Sequence, residues 1–212
     1  MSLSEFLNNL FHLKFAALLA VYGTAFYVIL FLVIFIETGL VVMPFLPGDS
    51  LLFVAGLFAR EGNISLSTLI ILLFIAAILG DNLNYFIGKN IGLRMLHLKF
   101  KGKALVKQDY LDRTHVFYEK HGPKAIIMAR FVPIVRTFAP FVAGVAEMKY
   151  RTFVLFDLLG GALWISSLSI AGYYLGHYEW IKTHIEIVVI GIIVFSVLPM
   201  IVGLLSGKKK AA

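Results

Sequence analysis

Long uncharged runs separated by short polar clusters set the pattern of this chain, and two runs are interrupted from within. Phe15 to Ile36 carries no charge and, at about 1.5 Å per residue, is long enough to cross a bilayer core of about 30 Å. A break at Gly23–Thr24 would instead make Ala25–Val42 one limb of a hairpin. Glu37-Thr38-Gly39 follows, then Pro44, Pro47, Gly48 and Asp49 within PFLPGDS, then Leu51–Ala59, apolar but too short to span. Ile64 to Gly80 is a clean apolar helix that continues through Asp81, Asn82 and Asn84 to Gly88. After a basic middle, Ala125–Ala146, Phe153–Gly176 and Ile185–Leu205 are again apolar. Met1–Lys14 is mildly amphipathic and predicts an interfacial helix. Tyr110–Lys120 lacks Gly and Pro and predicts a surface helix.

The second interrupted run, ARFVPIVRTFAPFVAG over Ala129–Gly144, organises the rest. It is apolar enough to enter a bilayer, yet it holds Arg130, Arg136, Pro133 and Pro140. An arginine at bilayer depth costs roughly 2.5–3.5 kcal/mol even on the lenient insertion scale. A proline inside a helix removes a backbone bond and crowds the preceding turn. Such backbone survives at membrane depth only where protein buries it or it lines a wet cavity. The run therefore predicts a broken, re-entrant segment at a site for something anionic.

Charge sets the topology. Lys89, Arg94, Lys99, Lys101, Lys103, Lys107, Arg113, Lys120 and Lys124 outweigh Asp109, Asp112 and Glu119, so residues 89–124 form a cytoplasmic connector. Lys208, Lys209 and Lys210 put the C-terminus on the same side. An even number of crossings must then lie among three apolar segments, so one enters and leaves by the same face. The broken one is the natural choice. Phe53-Val54-Ala55-Gly56 recurs 88 residues later as Phe141-Val142-Ala143-Gly144, and at that offset Tyr85-Phe86-Ile87-Gly88 meets Tyr173-Tyr174-Leu175-Gly176. The repeat predicts two units, each a broken hairpin followed by a span, in opposite orientation, as in transporters built from inverted repeats.

The expected fold is an all-α polytopic membrane protein with about four full spans in one domain over 1–212. It comprises an interfacial helix (1–14), re-entrant hairpins at 37–59 and 125–146, the connector at 89–124 and two C-terminal spans within 153–205. Composition agrees: 60% of the 212 residues are hydrophobic, with mean hydropathy +0.90. The absence of cysteine excludes disulfides, thiolate metal sites and a cysteine nucleophile. The net charge of +7 reads as cytoplasmic loops, not nucleic-acid binding. No GxSxG, Walker or GxGxxG motif is present, and the histidines lack metal spacing such as HExxH. No enzyme activity, metal or cofactor is expected.

The candidate chemistry lies in the broken stretches. Arg130 and Arg136 are the headgroup-binding candidates, because guanidinium forks match phosphate. Glu37 and Asp49 would compete for the arginines or carry a proton. The alternative is a structural staple of ion pairs between two hairpins. Pro44, Pro47, Gly48, Pro133 and Pro140 supply the breaks. Asp81, with Asn82 and Asn84, reads as an interfacial cap or a helix–helix hydrogen bond. Asp157 near its span's start either reaches the cytoplasmic interface or relays protons. Trp164 reads as packing, and Tyr173, Tyr174, Tyr178 and Trp180 as an aromatic belt.

Three motifs carry a resemblance: ETGLVVMPFLPGDSLLFVAG (Glu37–Gly56), GDNLNYFIG (Gly80–Gly88) and ARFVPIVRTFAPFVAG (Ala129–Gly144). They resemble the DedA family of bacterial inner-membrane proteins, which share a domain with eukaryotic lipid scramblases. The resemblance implies two opposed re-entrant hairpins, a multi-pass protein of the bacterial inner membrane, and function on membrane lipids. Members are similar to translocases that return undecaprenyl phosphate to the cytoplasmic leaflet; others are associated with phosphatidylethanolamine distribution and proton-dependent transport. The family's functional acids and arginines fall on Glu37, Asp49, Arg130 and Arg136. The expectation is a flippase for a polyprenyl phosphate or another anionic phospholipid. Protons are a candidate second ligand. Rivals are a scramblase, a proton-coupled transporter of a small ion and a non-transporting scaffold.

Overall fold

The computed structural model describes residues 25–40, 48–60, 64–92, 99–100, 103–104, 122–185, 187–192 and 194. In chain order the helices are α1 (Ala25–Gly39), α2 (Gly48–Arg60), α3 (Leu66–Ile87, widening into a π turn at Gly88–Gly92), α4 (Lys124–Ala129), α5 (Pro133–Val145), α6 (Tyr150–Leu175) and α7 (Glu179–Thr183). Among the described residues the one strand pairing is a short antiparallel ladder in the connector, with Lys99 opposite Ala104 and Phe100 opposite Lys103. The expected helices at 1–14 and 110–120, the possible break at Gly23–Thr24, Pro44, Pro47, most of the connector and the end of the last span lie outside the described residues.

α3 and α6 are each long and apolar enough to cross a membrane. Ser65 caps α3, its hydroxyl accepting from the Thr68 N–H. The two helices run antiparallel. The Tyr150 hydroxyl donates to Asn82 Oδ1 at 2.7 Å near one end, and Gly161 packs on Ile78 and Phe74 further along.

The interrupted runs give short helices. α2 and α5 have 13 residues each and α4 has 6, so at about 1.5 Å rise none alone crosses a core of about 30 Å. The α4–α5 break has a local cause. Val132 precedes Pro133 and is held extended, at φ −119° and ψ 105°. The turns leading to it tighten to three-residue hydrogen bonds: Arg130 N–H to Ile127 O, Phe131 to Met128, Val132 to Ala129. Pro133 then opens α5 at the first position, where a missing N–H costs nothing. Pro140 deprives the Arg136 carbonyl of its helical donor.

Four close backbone crossings fix the short helices to the long ones. A Cβ on Gly172 would lie 1.9 Å from the Phe53 carbonyl oxygen, and one on Gly56 2.1 Å from that of Ser169. A Cβ on Gly88 would lie 2.1 Å from the Phe141 oxygen, and one on Gly144 2.1 Å from that of Tyr85. Each FVAG segment thus lies antiparallel on a long helix, and the exchange is crosswise: the first FVAG rests on α6, the second on α3. Because α3 and α6 are themselves antiparallel, α2 and α5 point in opposite directions, as an inverted repeat requires. The contacts correct one detail of the repeat. Gly88 corresponds to Gly172 and Tyr85 to Ser169, an offset of 84 on the long helices, against 88 for the FVAG segments. The Tyr-rich match at 173–176 is one helical turn out of register; a shift of four residues keeps the same helix face, so the pattern recurs there.

Polarity is inside out. The large residues left exposed on α3 are Ile71, Ile75, Leu79, Leu83 and Phe86, a stripe at helical spacing, and Leu155, Leu159 and Leu163 do the same on α6. Glu37, Asp81, Asn84, Arg130, Arg136 and Asp157 are buried. The close crossings should not tolerate a methyl group. Gly172→Ala and Gly144→Ala are each expected to destabilise by about 1–3 kcal/mol or more, read as a lower thermal midpoint in detergent. Gly191→Ala, with nothing within 4 Å of its added carbon among the described residues, should leave the midpoint unchanged.

Candidate functional site

The buried charges form two clusters joined by one indole. Arg136 sits in the first turn of α5. Its Nη2 donates to Glu37 Oε1 at 2.7 Å and its Nη1 donates to Asp49. The Trp164 Nε1–H donates to the same Asp49 oxygen at 2.8 Å, and the Arg136 guanidinium carbon lies 4.4 Å from the indole centroid. Asp49 is in the first turn of α2, where the helix end favours an anion. A Cβ on Gly48 would lie 2.1 Å from Glu37 Oε2, so glycine at that position lets the Glu37 carboxylate reach the start of α2.

Arg130 occupies the α4–α5 break. Its Nη2 donates to both Asp81 on α3 and Asp157 on α6. Gly160 and Gly161 make room: a Cβ on Gly160 would lie 3.1 Å from Arg130 Cγ. The guanidinium carbon is 5.9 Å from the Trp164 centroid, so one ring stands beside both arginines. Asn84 Nδ2 donates to Thr38 O at 3.1 Å and Thr137 O at 2.7 Å, tying the last turn of α1 to the first turn of α5 next to Glu37 and Arg136.

The two clusters differ in access. The Asp49 side chain is 17% exposed, whereas Arg130, Asp81 and Asp157 are 3%, 0% and 0% exposed. Among the described residues, Arg136 Nε, Arg130 Nη1, Asp81 Oδ1, Asp157 Oδ2 and Asn84 Oδ1 are buried without a hydrogen-bond partner. Unsatisfied buried groups are costly, so such a concentration marks a place built for something other than stability. Among the described residues, no group of three His, Asp or Glu could hold a metal ion.

Glu37, Asp49 and Arg136 are brought together as one cluster, and Arg130 belongs to the other. Asp81 and Asp157 are both sealed inside the protein against Arg130. Asn84 makes the helix–helix bond. Trp164, which its mid-span position alone assigns to packing, hydrogen-bonds Asp49. The available signal was its polar handle: an indole N–H in mid-span needs an acceptor.

Residues 46–174 match the VTT domain family. The chain is 47% identical over 199 residues to Protein DedA of Escherichia coli (strain K12), covering 93% of this chain and 90% of that protein. The chain belongs to the DedA family. It is also 41% identical over 170 residues to an uncharacterized membrane protein of Mycobacterium leprae (strain TN), covering 80% and 75% of the two chains. With inner membrane protein YqjA of E. coli (strain K12) it shares 35% over 150 residues, 71% and 67% of the two. No solved structure matches it. Membership of a family with members named as membrane proteins, two apolar spans and the inside-out polarity together make this a helical membrane protein.

In this DedA-family site, Trp164→Phe keeps an aromatic ring but removes the pyrrole half of the indole, and with it the N–H bound to Asp49. The expected cost is about 1–3 kcal/mol, seen as a lowered thermal midpoint with the elution profile still monodisperse. An unchanged midpoint would mean that the indole bond contributes nothing.

Proposed function

We propose that this protein is a lipid transporter that moves an anionic phosphate headgroup between leaflets, with undecaprenyl phosphate or a related anionic phospholipid as substrate. The observation that carries the reading is Arg136: a buried guanidinium whose fork is held by two carboxylates, with Nε unpartnered and Asp49 partly open. Stripping a buried charge of its partner costs about 3–5 kcal/mol. A phosphate that replaces a carboxylate on the same fork avoids that cost, because the guanidinium is never bare. The exchange is then nearly balanced, which suits a site that must bind and release. Glu37 and Asp49 are the gating acids: either gives up its place on the Arg136 fork to admit the headgroup. The lipid identity rests on the family resemblance alone.

The short α2 and the broken α4–α5 unit support two re-entrant hairpins, since no single one of these helices is long enough to cross. Their opposed directions would place both breaks near the midplane, with the headgroup in the polar cluster and the tail left in the bilayer. About four full spans would complete the molecule, with connector and C-terminus in the cytoplasm of a bacterial inner membrane. The reading involves no bond-making step and no cofactor.

The test is movement of labelled undecaprenyl phosphate in proteoliposomes, with phosphatidylethanolamine as the control lipid. Arg136→Lys keeps the charge but loses the planar fork. Losing one charge-assisted bond of about 1.5–3 kcal/mol predicts a slowing of roughly tenfold to hundredfold in folded protein. Equal movement of both lipids would identify a scramblase. No movement of either would sink the transport reading.

A further inference from the structure

The Arg130 cluster has a different design from the Arg136 cluster. Asp81 and Asp157 come from separate long helices and converge on one guanidinium nitrogen. All three residues are sealed, and among the described residues each retains an unpartnered polar atom: Arg130 Nη1, Asp81 Oδ1 and Asp157 Oδ2. Among the described residues, the charges facing this point are Asp81 on α3, Asp157 on α6 and Arg130 in the break, then Arg136 on α5, Glu37 on α1 and Asp49 on α2. Four acids thus face two arginines. At Arg136 the second acid has support: Asp49 is partly exposed, takes the indole N–H and sits at a helix N-terminus. At Arg130, Asp81 and Asp157 are 0% exposed. Two like charges at one buried point cannot both persist against a single cation.

We propose that Asp81, Asp157 and Arg130 form a proton-binding site, distinct from the headgroup cluster, whose occupancy couples proton movement to lipid movement. The proton adds to a carboxylate oxygen of either aspartate. No other bond changes. The site then holds one anion against one cation, and an O–H supplies a donor among the unpartnered oxygens. Coupling to the headgroup site is electrostatic and rests on the transport reading above; the proton site itself does not. Both guanidinium carbons lie beside the Trp164 ring, so the two clusters are no more than roughly 10 Å apart. At that separation, and an effective dielectric of about 20, one added positive charge strengthens anion binding on the order of tenfold. By reciprocity a bound anion strengthens proton binding by the same factor. Proton and headgroup therefore travel together.

Infrared spectroscopy of the purified protein tests the site without any lipid assay. The carbonyl stretch of a protonated carboxyl is expected at neutral pH in the wild type. It should lose intensity in Asp81→Asn and in Asp157→Asn, because each leaves one acid for one arginine. Those variants should fold, since Arg130 keeps a partner. An undiminished band in both would overturn the proposal. In proteoliposomes, the ratio of lipid movement with and without a pH gradient should fall to one in Asp157→Asn, and a retained gradient response would overturn the coupling. If the wild type moves no lipid while the band behaves as stated, the headgroup reading fails and the proton site stands.

Discussion

Arg130 and Arg136 are the constraint on which the structure depends. Two guanidinium groups inside apolar helices must be paired or the fold fails. The pairing draws one acid from each of α1, α2, α3 and α6. Those helices must come close, so the glycines follow: Gly48 under Glu37, Gly160 and Gly161 beside Arg130, and the four crossings at Gly56, Gly88, Gly144 and Gly172. The breaks follow too. Arg130 can face inward between α3 and α6 because Pro133 ends α4 there.

The crosswise arrangement gives the charges a mechanical meaning. Gly56 and Gly172 tie α2 to α6, while Gly88 and Gly144 tie α5 to α3. Arg136 to Asp49 reaches from one of these pairs to the other, and Arg130, in the break before α5, holds Asp81 of one pair and Asp157 of the other, with Trp164 stacked at the same seam. Whatever changes the charge at the seam changes what holds the two pairs together. A transporter needs such a seam: strong when its charges are matched, and readily re-formed around a substrate of the same sign as the acid it replaces.

Much of this was legible in the chain. Arginines and prolines inside an apolar run have few physical explanations, so Arg130, Arg136, Pro133 and Pro140 announced both a break and a buried polar site. Glu37 and Asp49 were legible for the same reason. The partition of the charges was not. Asp81 and Asp157 lie near the ends of apolar runs, where a carboxylate can reach water, and only the packing of α3 on α6 seals them against Arg130. The role of Trp164 is not legible, because an aromatic residue in a span packs well whether or not its N–H is used. The repeat was found from identity, but identity among apolar residues recurs every turn; carbonyl–glycine contacts set the register at 84 on the long helices.

The central claim is that the Arg136 cluster works on a substrate and is not a staple. A neutral replacement separates the two: Glu37→Gln, Asp49→Asn and Arg136→Met together remove the charges and leave no partner stranded. Replacing a buried ionic cluster by neutral groups of similar volume is often tolerated, and is neutral or stabilising by about 1–4 kcal/mol where the replacements are well-packed apolar residues. The account predicts a variant with a thermal midpoint at or above that of the wild type and no movement of labelled lipid phosphate in proteoliposomes. Undiminished lipid movement by that variant, or a cluster whose loss unfolds the protein even when fully neutralised, would contradict it.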